Sequence, residues 1–401
     1  MGIKIGRQSH EGFTSVLELE TNFKRAASEA CEFLLFIMPT QRSDPIKDTI
    51  KLAELKFGIV TQCVRVETVG KSLDNRSGMM TLQNILQKTN MKLGGLNYVV
   101  NLQQEPLVGK WFSKGVMYIG CDVNHPPPQT AQERRMKIPP REPSVVGFCA
   151  STAESVFKPC GEISFQDPRV EEVQRLYDLV LDALDRHYER SHYLPTRIVY
   201  FRDGVSEGQM NTMIFQKEEP QIQKALEEAG RKYRIRDYNP KLGIVIVVKR
   251  HMNRFWKLQI NPKDKATVQD ADVGWVVDTH VTHPTAWEYF LQSHRAIQGM
   301  AKASKYRVLK NDVGFNQDEI ERISYILAHS HQICAKSVSL PAPVYGAHEL
   351  AARGKKIWRA YNASDSSSGY SGGSGDGPDW DELNAKYKFS GTVFSDRKFW
   401  A

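Results

Sequence analysis

At 401 residues, with 41% apolar and 10% aromatic side chains, the chain is long enough to bury more than one core, since a single core rarely grows past roughly 250 residues. Lys and Arg outnumber Asp and Glu by 54 to 46, a net charge of +8 that favours a polyanionic partner, because cations that meet phosphates release counterions. No apolar run approaches the ~20 residues of a membrane helix, so neither a membrane span nor a signal peptide is expected. Six scattered cysteines without a C-x-x-C pair fit a reduced intracellular protein better than a disulfide scaffold.

In chain order, a weakly patterned lead-in to about residue 20 precedes an amphipathic helix over 23–30 and a buried strand over 33–38 (FLLFIM). A helix over about 48–56 leads to a second strand in GIVTQCVRVE, and this strand, helix, strand order predicts a small α/β unit with parallel pairing. A new α/β series opens near residue 116 with VMYIGCDV. It continues through a basic, proline-rich loop read as disordered, the strand SVVGFCAS and a strand over 160–165. Apolar residues at Val170, Val173, Leu176, Tyr177, Val180, Leu181, Leu184 and Tyr188 hold a 3.6-residue stripe and predict a long helix ending before Pro195. After it come the strand RIVYFRD, a helix rich in Glu and Gln, the strands GIVIVVKR and WVVDTHVTH, and a late helix capped by Asn316. The Ser/Gly tract from Ser364 to Gly377 has nothing with which to build a core and reads as a flexible loop.

Three carboxylates stand where a metal site would want them. Asp122 and Asp203 end strands, and Glu171 opens the long helix. The carboxyl ends of neighbouring strands form the crevice in which α/β sheets bind ligands, so acids emerging there can share divalent cations. Each alone is as well explained as a turn residue or helix cap. Their contexts, IGCDVNHPP and YFRDGVSEGQ, are too long and particular for generic turns.

Both strings resemble the PIWI domain of Argonautes. The resemblance continues, in order, through THVTHPT, SHRAIQG and SVSLPAPVYGAH, while TQCV and TNMKLGGLN resemble the family's Mid domain. It implies a Rossmann-like Mid domain over residues 1–110 and an RNase H-like PIWI domain over 111–401. It further implies a tetrad of Asp122, Glu171, Asp203 and His348 cutting RNA with two Mg2+ ions, with Asp122, Asp203 and His348 as metal ligands. Two such ions activate water on one side of a phosphodiester and stabilise the leaving oxygen on the other. Glu171 is placed by ungapped register, and its acidic neighbour Glu172 reads as solvated.

The family's pocket for the 5′ phosphate of a guide strand maps onto Gln62, Lys88, Lys92 and Arg353, with Lys51 after a one-residue gap. Where the family places a tyrosine, this chain offers Lys47 or Ile46. Charge without a stacking face would suit a triphosphorylated guide end, as in nematode-type Argonautes that load secondary small RNAs; a solvated helix lysine explains Lys47 equally simply. Lys249, Arg250, Arg254, Ser339 and Tyr345 are the candidate guide-backbone contacts, since a basic cluster directly after an apolar strand meets phosphates. Spaced histidine pairs (His280 with His283, His329 with His331) lack a third ligand and read as structural.

The implied function is guide-directed RNA binding and cleavage of a complementary target RNA in gene silencing. The alternative is a guide-binding silencing or protecting factor that recruits protein partners and cuts little or not at all. The cytoplasm is the expected compartment, with the nucleus and ribonucleoprotein granules as further places.

Overall fold

The computed structural model describes residues 15–39, 45–74, 78–102, 105–136, 138, 140, 142–258, 261–263, 265, 269–366 and 379–401. They form two sheets. The smaller pairs β1 (Phe33–Met38) with β2 (Val60–Arg65) in parallel, which requires a crossover; α2 (Pro45–Phe57) supplies it. α1 (Val16–Ser28) and α2 bury Leu19, Phe23, Ile50 and Ala53 against Met38 and Ile59. Phe23 stacks on both Phe36 and Phe57. α3 (Val66–Ser72) and α4 (Gly78–Lys92) follow.

The larger sheet has eight strands: β3 (Val116–Asn124), β4 (Ser144–Ser151), β5 (Pro159–Gln166), β6 (Arg197–Asp203), β7 (Lys241–Val248), β8 (Trp275–Val277), β9 (Glu288–Gln292) and β10 (Ser304–Asn311). Their spatial order is β5-β4-β3-β6-β7-β10-β9-β8. Only the central β3, β6 and β7 run parallel; the pairs outside them are antiparallel. Side chains alternate across the central strands with the period of two expected of a doubly covered sheet. Ile119, Ile198, Tyr200 and Ile244 face α6 (Leu176–Ser191) and α7 (Glu219–Lys232). Tyr118, Val199, Phe201 and Val245 face α8 (Gln317–Ala328) and the start of α9 (Ala342–Ser366). This is the mixed α/β, RNase H-like architecture expected from the sequence.

α9 comes closest to the sheet. A Cβ on Gly120 would lie 2.2 Å from the Pro343 carbonyl carbon, and one on Gly147 would lie 1.9 Å from the Ala347 oxygen. Contacts that short are impossible for any larger residue. After the last helix, α10 (Trp380–Lys386), the aromatics Phe389, Phe394, Phe399 and Trp400 pack with Val145, Ile163 and Ile357 and reach Val60 of the small sheet. One apolar cluster therefore joins the two sheets.

Several expectations are corrected. The long helix begins at Leu176, not near Val170; Val173 is buried, so its spacing imitates a helical stripe while the backbone stays irregular. Side chains hold that backbone instead: Gln166 Nε2 donates to the carbonyls of Val170 and Glu172. The basic loop contains a short helix, α5 (Ala131–Arg135), closed by a capping box between Thr130 and Glu133. WVVDTHVTH is a strand only over Trp275–Val277. β9, β10 and α9 have no counterpart among the elements expected from the sequence. Of the Ser/Gly tract, 364–366 end α9 and the rest lies outside the described residues.

Candidate nuclease cleft and guide-end pocket

Parallel pairing of β3 with β6 sets Cys121 opposite Arg202, so the next residues, Asp122 and Asp203, stand side by side near the carboxyl ends of these strands. Asp203 is the last residue of β6, whereas Asp122, expected to end its strand, is still paired with Gly147 and β3 runs on to Asn124. His348, exposed on the second turn of α9, brings Nδ1 to 2.9 Å from Asp122 Oδ2. That hydrogen bond raises the His348 pKa. Asp203 is pushed up to about 6, first by burial and then by the charge of Asp122. The two acids repel one another in a partly dry site, which is the setting a cation relieves.

Glu171 lies in the irregular segment between β5 and α6. Its Oε1 would sit 3.2 Å from a Cβ on Gly204, so its carboxylate reaches the residue after Asp203. Gly204, at φ +88°, makes the turn that leaves this space. Glu171 Oε2 is 2.6 Å from His125 Nε2, and Oε1 accepts from Arg202 Nη2 at 3.1 Å. Glu172 pairs with Lys217, where the sequence suggested solvation.

Among the described residues no three His, Cys, Asp or Glu side chains are gathered closely enough to enclose a metal by themselves. Asp122, Asp203 and His348 therefore form an open set. Magnesium is commonly held this way, by one or two carboxylates with the rest of its shell from water and substrate phosphate. The donor chemistry and the raised pKa of Asp203 fit such an ion, and Glu171 faces the cleft from its engagement with His125 and Arg202.

A second cluster forms where α2, β2 and α4 meet α9 and the C-terminal residues. Lys51 is buried and donates to Thr61 Oγ1 at 2.7 Å. Lys92, also buried, donates to the carbonyls of Thr61 (3.0 Å) and Phe399 (2.8 Å). Gln62 lies on the same strand, buried, with Oε1 unpartnered among the described residues. Arg353 is buried in an ion pair with Glu54 of α2. Lys47 and Lys88 are half-buried. The structure thus brings together all six residues assigned to the guide end.

Burial drives the electrostatics here. Lys92 is pulled down to about 7 by desolvation and then by Lys88. Arg353 falls to about 9 through burial, against the pull of Asp48. Lys51 and Lys88 are lowered by the same cause. Sequence reasoning missed two further members. Lys356, one turn beyond Arg353 on α9, is depressed by burial and by Lys47 and Arg353. Lys398 is buried, donating to the His331 carbonyl at 3.1 Å and facing Glu349 at 3.3 Å. The spacing of Arg353 and Lys356 was a legible signal, since residues three apart share a helix face.

The guide-backbone candidates divide. Lys249 Nζ donates to Ser339 Oγ at 2.7 Å. Arg254 turns back onto the carbonyls of His251 and Asn253, whereas Arg250 is exposed. Tyr345 stands edge-on to His331, ring centres 4.4 Å apart, on the Lys398 side of the lysine cluster.

Residues 33–359 match the family model described as Piwi domain, and 342 residues are 36% identical to Protein argonaute-2 of Drosophila melanogaster, covering 84% of this chain. The chain belongs to the Argonaute family. It spans only 26% of that relative's length. Solved Argonautes share the fold. That of Kluyveromyces polysporus, solved with a guide RNA, superposes with a TM-score of 0.78 at 23% identity over 96% of this chain and 43% of the other. The C-terminal lobe of a budding yeast Argonaute gives 0.77 at 22%, over 95% and 72%. The Mid–PIWI domains of the Neurospora crassa protein QDE-2 give 0.60 at 18%, over 98% and 85%. This Argonaute chain corresponds to the Mid and PIWI part of the family.

Proposed function

We propose that this Argonaute chain binds the 5′ end of a small guide RNA in the lysine pocket and cleaves a paired target RNA in the carboxylate cleft, as part of gene silencing. The observation that carries the cleavage reading is the convergence of Asp122, Asp203 and His348 at the edge of β3 and β6. There burial, and then the charge of Asp122, push Asp203 up to about 6, and His348 is hydrogen-bonded to Asp122. Two magnesium ions, when bound, would supply activation of water and stabilisation of the leaving oxygen. Asp122 and Asp203 present hard oxygen donors. His348 keeps one ring nitrogen on Asp122 and offers the other to a ligand or a proton near the leaving group. Glu171 is steadied beside Asp203 by His125 and Arg202. The guide's end is gripped by Lys51, Gln62, Lys88, Lys92 and Arg353, and Lys249, Arg250, Arg254 and Ser339 line its path. Base pairing would choose the target, leaving the protein to recognise A-form shape and backbone.

Lys47 and Lys356 add a finer reading of the guide. Among the described residues no hydrogen bond or ion pair occupies these two ammonium groups, and each adds charge beyond a single phosphate monoester. This supports a guide carrying a 5′-triphosphate. A second reading, guide binding with little cleavage and partner recruitment instead, is favoured by one observation: both carboxylate oxygens of Glu171 are already engaged by the protein.

The deciding experiment loads the chain with a guide and follows a labelled complementary RNA in Mg2+, beside Asp203→Ala. Cutting by the parent chain alone is expected. Equal cutting by both would reject the catalytic assignment, and guide binding without cutting by either would favour the second reading.

A further inference from the structure

Residues 167–175 carry Glu171 yet belong to neither helix nor strand, so no ladder of backbone hydrogen bonds fixes that carboxylate. Part of what does fix it comes from an unexpected quarter. Glu218 is fully buried and ends a π-helix, Met210–Glu218, that runs straight into α7. Its Oε1 accepts from the backbone N–H of Val173 at 3.2 Å and from Arg202 Nε at 3.2 Å, and its Oε2 accepts from the Tyr200 hydroxyl at 2.9 Å. Arg202, itself fully buried, spends its remaining donors on the two acid-bearing segments. Nη1 donates to the Asp203 carbonyl; Nη2 donates to the Glu171 carbonyl at 2.5 Å and to Glu171 Oε1 at 3.1 Å.

The π-helix accounts for how an acid arrives there. A widened turn shifts the face presented by each later residue, and such turns recur at functional sites. Here it turns Glu218 inward beneath the sheet edge, while the next residue, Glu219, faces out to pair with Lys310. Removing one residue from the turn would exchange those roles.

We propose that Glu218 is a positioning residue for the nuclease cleft: by holding Arg202 and the Val173 amide together, it sets where Glu171 stands relative to Asp203. This rests on the cleavage reading above, but its local part does not. Glu218 shares the buried guanidinium with Glu171. Without the charge of Glu218, Arg202 has Glu171 as its main counter-ion and draws that carboxylate from the cleft, because an unpaired buried cation is strongly disfavoured.

The test uses the full chain and Glu218→Gln, which keeps shape and removes charge. Hydrogen exchange read at residues 167–175 should accelerate at least tenfold, while peptides of β4 and α8 stay as protected as in the parent. In single-turnover cleavage, the Mg2+ concentration giving half the maximal rate should rise severalfold, with guide affinity within twofold of the parent. A merely structural acid would lower the melting temperature and the active fraction but leave the magnesium dependence of the active molecules unmoved. Unchanged exchange at 167–175 in folded Glu218→Gln overturns the proposal, as does an unchanged magnesium requirement in a chain that cuts. Should Glu218→Gln fail to fold, Glu218→Asp, which retracts the charge by one methylene, is read by the same exchange criterion with the same two outcomes. A parent chain that never cuts removes the cleavage reading, and exchange still decides whether Glu218 holds the segment.

Discussion

The cleft and the guide-end pocket are built from the same physical device with opposite signs. In the cleft two acids face each other at an open sheet edge; in the pocket several cations are packed between α2, α4 and α9 with few carboxylates among them. Burial lifts Asp203 to about 6 and drops Lys92 to about 7, each toward its neutral form. Both sites hold charge that the fold alone does not neutralise, so each waits for a ligand of the other sign. They differ in how far the protein has gone to meet that need. The pocket cross-braces itself through Arg353 with Glu54 and Lys92 with backbone carbonyls. The cleft braces Glu171 through His125 and Arg202 and holds Asp122 by a single bond to His348.

The largest effect is expected where that bracing is removed. Arg353→Ala would strand buried Glu54 and should cost about 3–5 kcal/mol of unfolding free energy in urea titration, whereas a cost below about 1 kcal/mol would mean the pair is no brace. Next, Lys92→Met should lower the preference for 5′-phosphorylated over 5′-hydroxyl RNA by roughly ten- to a hundredfold, the size of a charge-assisted hydrogen bond. Asp122→Asn should leave that preference alone, and if it does not, the two sites are not separable.

A smaller effect tests the charge excess. A 5′-triphosphorylated RNA should bind about tenfold tighter than the monophosphorylated one, a difference worth roughly 1.4 kcal/mol, and Lys47→Ala with Lys356→Ala should erase it. Tighter monophosphate binding would sink the triphosphate reading.

A further test is in pH, where the signs are opposed. Lys92 is a depressed cation, so its contribution to the stability of the empty chain is full above the ordinary lysine range and is lost as pH falls through about 7. Asp203 is a raised acid, so its contribution is full below the ordinary aspartate range and lost as pH rises through about 6. Thermal melts of Lys92→Met and Asp203→Asn against the parent should therefore change slope in opposite directions. A phosphate ligand favours charged Lys92, so affinity should weaken as pH climbs above about 7. A flat profile would show that Lys92 does not carry the contact.

How much of this was legible follows from what each element announces. Asp122 and Asp203 could be read because each lies at or near the end of an apolar strand, and strands of this kind have a simple period. Gln62, Lys51 and Arg353 came only through resemblance, since a buried Lys on α2 looks like any polar helix residue until its neighbours are known. The start of α6 is not legible in the sequence because Val170 and Val173 keep helical spacing without helical hydrogen bonds. Arg202 did carry a signal, a charge within an otherwise apolar strand beside an acid. Glu218 carried none: its inward direction depends on a turn wider than an α-helix, which no hydrophobic period records. α9 was hidden by Pro341 and Pro343 at its start and by burial on several sides.

α9 carries His348 toward the cleft and, five residues later, Arg353 into the pocket, and it is seated by the missing side chains of Gly120 and Gly147. The proposed gripping and cutting would thus share one rigid datum, as two tools do when bolted to the same bar. Drift in the seating of that bar would move both together, so the registration between them is protected even where their separate alignment is not. A methyl group added at Gly120 should accordingly injure two chemistries at once, though it touches the residues of neither.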